Sequence, residues 1–243
     1  MTSKINSALS LALGLLVSVG SVRAQCPDDP NPADPNCPWN TAVREPDIDV
    51  WNPVTQSAQK CKVRVTICYR CCKSGPGLEL WLSKLEFEDP DCARWFGWFP
   101  DDPARRQEVD KHRRQAWESI DNSVVKWGLQ QGDYRPCFFA ARELPDCTTG
   151  RHTVVTYFKP SCYRAIPGPA IASAAPDPIS TIEWCGTGLC VQKFAVCHQA
   201  GVVKATQLSP DSPDFPNKTG AFVEPCYLED GTVPPDCLTT CYY

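Results

Sequence analysis

The chain has 243 residues, of which 16 are cysteine and 24 are proline, and its formal net charge is −4. This acidic balance argues against nucleic acid as a partner, because affinity for phosphate backbones depends on basic residues that release counterions. An even, dense set of cysteines predicts the disulfide framework of an exported protein. We expect bridges at all sixteen: Cys26, Cys37, Cys61, Cys68, Cys71, Cys72, Cys92, Cys137, Cys147, Cys162, Cys185, Cys190, Cys197, Cys226, Cys237 and Cys241.

The first 24 residues have the pattern of a secretory signal peptide. Lys4 supplies the positive region, residues 8–20 supply the apolar region, and small residues up to Ala24 form a cleavage site. No later stretch approaches the roughly 20 apolar residues that a membrane span needs. We therefore predict a secreted protein without a transmembrane segment, extracellular or, in a host with two membranes, periplasmic.

Residues 61–72 are predicted to form the strand around which the fold is organised. Its aliphatic residues alternate with polar ones, the pattern of a half-buried strand; they are Val63, Val65 and Ile67. Along such a strand Cys61 and Cys68 lie roughly 23 Å apart, whereas bridged Cα atoms lie within about 7 Å of each other. Each cysteine must therefore pair with a different neighbour.

A second strand is predicted after the turn at residues 74–77. Its leucines alternate up to Leu82, and the alternation resumes out of phase at Leu85. This break in period predicts a bulge, and the two strands together predict a hairpin.

An aromatic run follows the hairpin and allows two interpretations. It contains Trp95, Phe96, Trp98 and Phe99. Such a cluster is most often a core plug, since large rings bury much apolar area. The alternative is an exposed platform for a sugar, a lipid or a partner protein, and these four residues are our candidate binding residues.

One helix is predicted, with Asp102 as its N-cap and Pro103 in its first turn. Its apolar residues recur at three- and four-residue steps as far as Trp127, and Gly128 is predicted to end it. The basic residues in its first half are expected to form a solvated face; they are Arg105, Arg106, Lys111, Arg113 and Arg114.

The second half of the chain repeats features of the first. Residues 151–163 predict another strand, and residues 165–181 are a Pro/Ala-rich linker. Beyond it, Cys190 and Cys197 have the same spacing as Cys61 and Cys68, and residues 136–149 resemble residues 225–240. We predict a mainly β fold with one α-helical insertion, built as two related disulfide-rich modules in tandem. They span residues 25–164, with the insertion at about 93–132, and residues 182–243.

No sequence pattern of a known reaction occurs, so we predict no catalytic residue, no metal site and no cofactor. The three histidines, His112, His152 and His198, stand in no recognisable catalytic context. The sequence therefore favours a secreted binding, adhesion or extracellular structural protein without catalytic activity, whose partner is an extracellular protein or a glycan. The alternatives are an extracellular hydrolase with its site in the helical insertion, and a secreted inhibitor or effector.

Overall fold

The computed structural model describes residues 26, 37–71, 77–98, 100–135, 137, 144–160, 162–166, 180–185, 189–208 and 238–239. The predicted signal peptide and most of the predicted linker lie outside these residues. The fold is mainly β with one long helix, as the sequence predicts. Its strands are β1 (Asn40–Arg44), β2 (Asp47–Asn52), β3 (Ser57–Cys71), β4 (Leu78–Phe87), β5 (Thr153–Pro160), β6 (Cys162–Ile166), β7 (Ser180–Trp184), β8 (Leu189–Gln199), β9 (Val202–Gln207) and β10 (Leu238–Thr239).

The helical segments lie between β4 and β5. They are α1 (Pro90–Phe96), α2 (Pro103–Asn122), a π-helical turn (Ser123–Trp127) and α3 (Gly128–Gln131), followed by a short 3-10 turn (Cys147–Thr149). The helices pack on β2 and on the neighbouring strands. The helical residues thus follow the β3–β4 hairpin in the chain, and whether they are an insertion into a repeated module stays a prediction.

Strands β3 and β4 form the predicted hairpin, and the predicted bulge is present. Val65 pairs with Leu85, whereas Ile67 pairs with Leu82, so β4 contains one more residue than β3 at this point. The extra residue restores the inward direction of the β4 side chains, which is why its leucines change phase without leaving the core.

Strands β1 and β2 form a broken edge along β3. β1 pairs with the second half of β3, and β2 pairs with the first half. The break is at Pro46, whose carbonyl oxygen accepts a hydrogen bond from the Val63 amide at 3.1 Å. Proline is compatible with this position because an edge strand does not need every amide as a donor.

One sheet contains strands from both predicted modules. β4 pairs with β5 in parallel and with β7 in antiparallel orientation, and β5 pairs with β8 along eight residues. β9 extends the sheet beyond β8, and β10 pairs with β6. The described residues therefore do not show two separate modules, and the tandem division stays a prediction.

Disulfide bonds connect strands of this sheet to segments outside it. As predicted, Cys61 and Cys68 do not pair with each other. The bridges include Cys26–Cys68, Cys61–Cys92, Cys71–Cys137 and Cys147–Cys197, and Cys37, Cys162, Cys185 and Cys190 are also disulfide-bonded. Cys147–Cys197 joins the two predicted modules. The remaining cysteines lie outside the described residues: Cys72, Cys226, Cys237 and Cys241.

The long helix begins where the sequence predicts but ends later. The Asp102 carboxylate accepts a hydrogen bond from the Ala104 amide at 3.0 Å, so it is the predicted N-cap. Gly128 has helical dihedral angles, and the predicted stop there is wrong. The helical segment continues to Gln131 and ends at Gly132, whose φ of 73° is the left-handed conformation that glycine adopts readily.

Candidate functional site

The structure places the candidate aromatic residues in different environments. Trp95 and Phe96 belong to α1 and are 8% and 2% exposed, so they do not form part of an exposed platform. Phe96 packs against Trp117, with a ring-centroid distance of 5.5 Å, inside an aromatic cluster. Trp98 is partly exposed, and Phe99 lies outside the described residues.

Arg113 connects α2 to the end of α1. It was expected on a solvated face, but its guanidinium lies inside, where Nη2 donates to the Trp98 carbonyl at 2.6 Å. Nε donates to the Phe96 carbonyl at 3.3 Å. A cation placed on the last carbonyls of a helix satisfies acceptors that have no partner within the helix. Arg113 is therefore a structural residue that joins α2 to α1.

Trp98 lines a small cleft together with Trp51. The cleft has a volume of about 60 Å³. His112 stacks on the Trp51 ring with a centroid distance of 4.9 Å and an interplanar angle of 21°, so the histidine buttresses one tryptophan. The other described residues that line the cleft are Pro53, Gln56, Arg105 and Glu108. A space this small admits part of a ligand at most.

A larger groove lies where β1 and β2 meet the end of the long helix, and we name it the Trp127 groove. Its volume is about 410 Å³, which is within the range of small-molecule sites. The described residues that line it are Arg44, Pro46, Asp47, Ser119, Asn122, Ser123, Trp127 and Gln131. The groove thus combines one indole ring with several hydrogen-bonding side chains.

Trp127 is 45% exposed because it is the last residue of a π-helical turn. In a regular α-helix each residue turns by about 100°, so the residue three positions after Val124 would face the core on the same side. That residue is Trp127. The π-helical turn Ser123–Trp127 includes one residue more than an α-helical turn. The core-facing positions after it therefore come one residue later in the sequence than a regular helix would place them. Gly128 and Leu129 are buried in consequence, and Trp127 faces outward.

Side-chain contacts connect the end of the helical segment to the strands on either side of it. Arg44 forms an ion pair with Asp133 at 2.9 Å and donates to the Gln131 amide oxygen at 2.6 Å, which ties β1 to the helix end. Gln130 donates to the Gly201 carbonyl at 3.0 Å and accepts from the Val203 amide at 2.7 Å. These contacts fix α3, which supplies Gln131 to the groove, against β9 and the turn before it.

A buried polar cluster lies under the same helix. Lys159 of β5 donates to Asp121 of α2 at 2.7 Å, with side chains 1% and 10% exposed. The ammonium lies 5.2 Å from the Trp117 ring centroid and 5.9 Å from that of Tyr157. Burial raises the pKa of Asp121 above its ordinary value, against the opposing effect of Lys159. A carboxyl with a raised pKa is a common property of functional sites, although structural networks also have it.

No sequence motif marks the Trp127 groove or the Lys159–Asp121 cluster. The described residues contain no group of three or more side chains suited to hold a metal ion. Within the part of the chain that has a described structure, no helix is long and apolar enough to cross a membrane.

No protein-family pattern, curated protein or solved structure matches this chain.

Proposed function

We propose that this chain is a secreted, disulfide-stabilised binding protein that takes a glycan in the Trp127 groove. The observation that carries the proposal is an outward-facing indole ring beside a row of hydrogen-bonding side chains. The Pro/Ala-rich linker and the repeated cysteine spacing support an origin of the chain from two related modules.

The chemistry of the groove suits a sugar. The faces of a pyranose ring carry C–H groups that pack on an indole, while its hydroxyls both donate and accept hydrogen bonds. Arg44 supplies donors, Asp47 supplies acceptors, and Asn122 supplies both.

The arrangement of carboxylates favours binding over hydrolysis. Glycosidases use two carboxyl groups on opposite sides of the scissile bond. Among the described residues that line the groove, Asp47 is the one carboxylate. Asp133 is nearby but is paired with Arg44. The groove therefore contains the elements of recognition without a second acid to protonate a leaving group.

The disulfides support a site of action outside the cytosol. Bridges form and persist in oxidising compartments, and the described cysteines include no free thiol. The first 24 residues supply the signal that secretion requires. A glycan of a cell surface or of an extracellular matrix is the kind of partner available there.

The test is a titration of the purified full-length protein with soluble oligosaccharides of glucose, N-acetylglucosamine, xylose and galactose, followed by calorimetry. We expect at least one of them to bind, and Trp127→Ala to weaken that binding by about tenfold or more. The free energy of unfolding should change by less than about 1 kcal/mol, because the ring is largely outside the core.

Trp98→Ala is the matched control, since it removes a partly exposed tryptophan from the smaller cleft. The proposal predicts that this variant keeps its affinity for the oligosaccharide. Loss of binding in Trp98→Ala alone would move the site to the Trp51–Trp98 cleft. Absence of binding to every oligosaccharide would refute a glycan ligand.

A further inference from the structure

We propose that Lys159 and Asp121 condense to form an intramolecular isopeptide bond that joins β5 to α2. The proposal is independent of the glycan site, because neither residue lines the Trp127 groove. It assigns a covalent role to the buried polar cluster described above.

The two side chains are placed for reaction. The Lys159 Nζ atom lies 2.7 Å from an Asp121 carboxylate oxygen, and both side chains are almost fully withdrawn from water. Tyr157 and Lys159 are two residues apart on β5, so both face the helix. Gln192 lies opposite Tyr157 on β8. The amine and the carboxyl are thus held together between an aromatic wall and a strand.

The cluster supports an ion pair poorly. A buried pair is stable when further hydrogen bonds satisfy its remaining atoms, since desolvation costs several kcal/mol per ion. Here Asp121 Oδ1, Tyr157 Oη and Gln192 Oε1 are buried without a partner of ordinary hydrogen-bond geometry. Tyr157 and Gln192 lie close enough to the carboxyl to lower the pKa of Asp121, but burial is the larger effect and raises it. Condensation requires that a proton pass to the Asp121 carboxylate, and burial of this carboxylate favours its protonated form.

The reaction of the neutral amine with the neutral acid balances without any further reagent. The Lys159 nitrogen lone pair adds to Asp121 Cγ, and the bond from Cγ to its hydroxyl oxygen then breaks. The hydroxyl leaves with one amine proton as water, and the other amine proton stays on the new amide. The Tyr157 hydroxyl faces the carboxyl and can donate to the oxygen on which charge develops during the addition.

The product suits its surroundings better than the reactants do. An amide has no charge to desolvate, and it offers one acceptor and one donor. The Tyr157 hydroxyl can donate to the amide oxygen, and the Gln192 oxygen can accept from the amide nitrogen. Three atoms without partners thereby become two hydrogen bonds.

The test uses the full-length protein, fully reduced, alkylated and digested with trypsin. Cleavage after Arg114, Lys126, Arg151 and Arg164 releases peptides 115–126 and 152–164, which contain Asp121 and Lys159. We expect a branched species whose mass is the sum of these two peptides minus one water molecule. Fragmentation should place the junction at the two named side chains.

Lys159→Met and Asp121→Ala are the controls, and each should abolish the branched species. The decisive measurement is made on the wild-type protein. A variant that fails to fold therefore does not leave the proposal undecided. Recovery of peptides 115–126 and 152–164 only as separate, full-mass species would overturn it. So would loss of water within 115–126 alone, which indicates a succinimide at Asp121.

Discussion

Replacing Gly128 by alanine tests whether this glycine is present for close packing. A Cβ atom at this position lies 2.5 Å from the Tyr134 hydroxyl oxygen, 2.6 Å from Cζ and 2.7 Å from Cε2. The Tyr134 ring is fully buried, and its hydroxyl donates to the Val124 carbonyl. The surrounding core and this hydrogen bond therefore restrict movement of the ring.

Two effects of opposite sign determine the expected magnitude. Gly128 has helical dihedral angles, and alanine in a helix interior is favoured over glycine by about 1 kcal/mol. Overpacking a filled core costs about 1–3 kcal/mol, and three contacts below 3 Å with a rigid ring place this case at the upper end. We expect Gly128→Ala to lower the free energy of unfolding by about 2 kcal/mol.

Urea unfolding with the disulfides intact, followed by circular dichroism, measures this difference. At a slope of about 2 kcal/mol per molar urea, the midpoint should fall by roughly 1 M. Gly150→Ala is the control, since Gly150 has a φ of 69° and no heavy atom within 4 Å of the added Cβ. It should lose about 1 kcal/mol from backbone strain alone. A Gly128→Ala variant at least as stable as the wild type would refute the packing argument.

Three further predictions concern the second half of the fold. Ala200 has a φ of 51° in the turn between β8 and β9. Because asparagine tolerates this conformation better, Ala200→Asn should raise the free energy of unfolding in urea by about 0.5–1 kcal/mol. A decrease would contradict this prediction. Replacing Cys147 and Cys197 by serine removes a disulfide bond with a sequence separation of 50. The entropy of closing this loop in the unfolded chain predicts that the free energy of unfolding falls by about 4 kcal/mol. An unchanged melting temperature would contradict this prediction. Hydrogen bonds from Thr148 lower the pKa of Asp146 below its ordinary value. The stabilisation is present above the pKa of the unfolded state and is lost as the pH falls through that of the folded state, so Asp146→Ala should weaken the acid dependence of unfolding.

Local patterns were sufficient to predict the elements whose signal is local. Alternation predicted β3 and β4 with their bulge, and the Asp102–Pro103 pair predicted the start of α2. Cys190 and Cys197, whose spacing matches that of Cys61 and Cys68, likewise lie in one strand, β8. In each case one face of the element is buried, so its period is visible in the residues themselves.

The parts that could not be predicted depend on distant residues or on a small change in winding. The parallel pairing of β4 with β5 joins Leu78 to Val155, and nothing near either residue indicates the other. Trp127 was assigned to the apolar helix face, because a period of 3.6 places it there; the π-helical turn moved it into the groove. The pair Lys159–Asp121 gave no signal, since a lone lysine in a strand pattern is ordinarily solvated.

The order of the disulfides along the chain has a consequence for biosynthesis. Cys26–Cys68 and Cys61–Cys92 interleave, because each bridge has one cysteine between the two cysteines of the other. A chain that enters an oxidising compartment N-terminus first exposes Cys26 to Cys37 and Cys61 before Cys68 arrives. Pairing in order of arrival therefore produces bridges that must later be exchanged by thiolate attack. We expect the yield of native protein to depend on a disulfide isomerase in the producing cell.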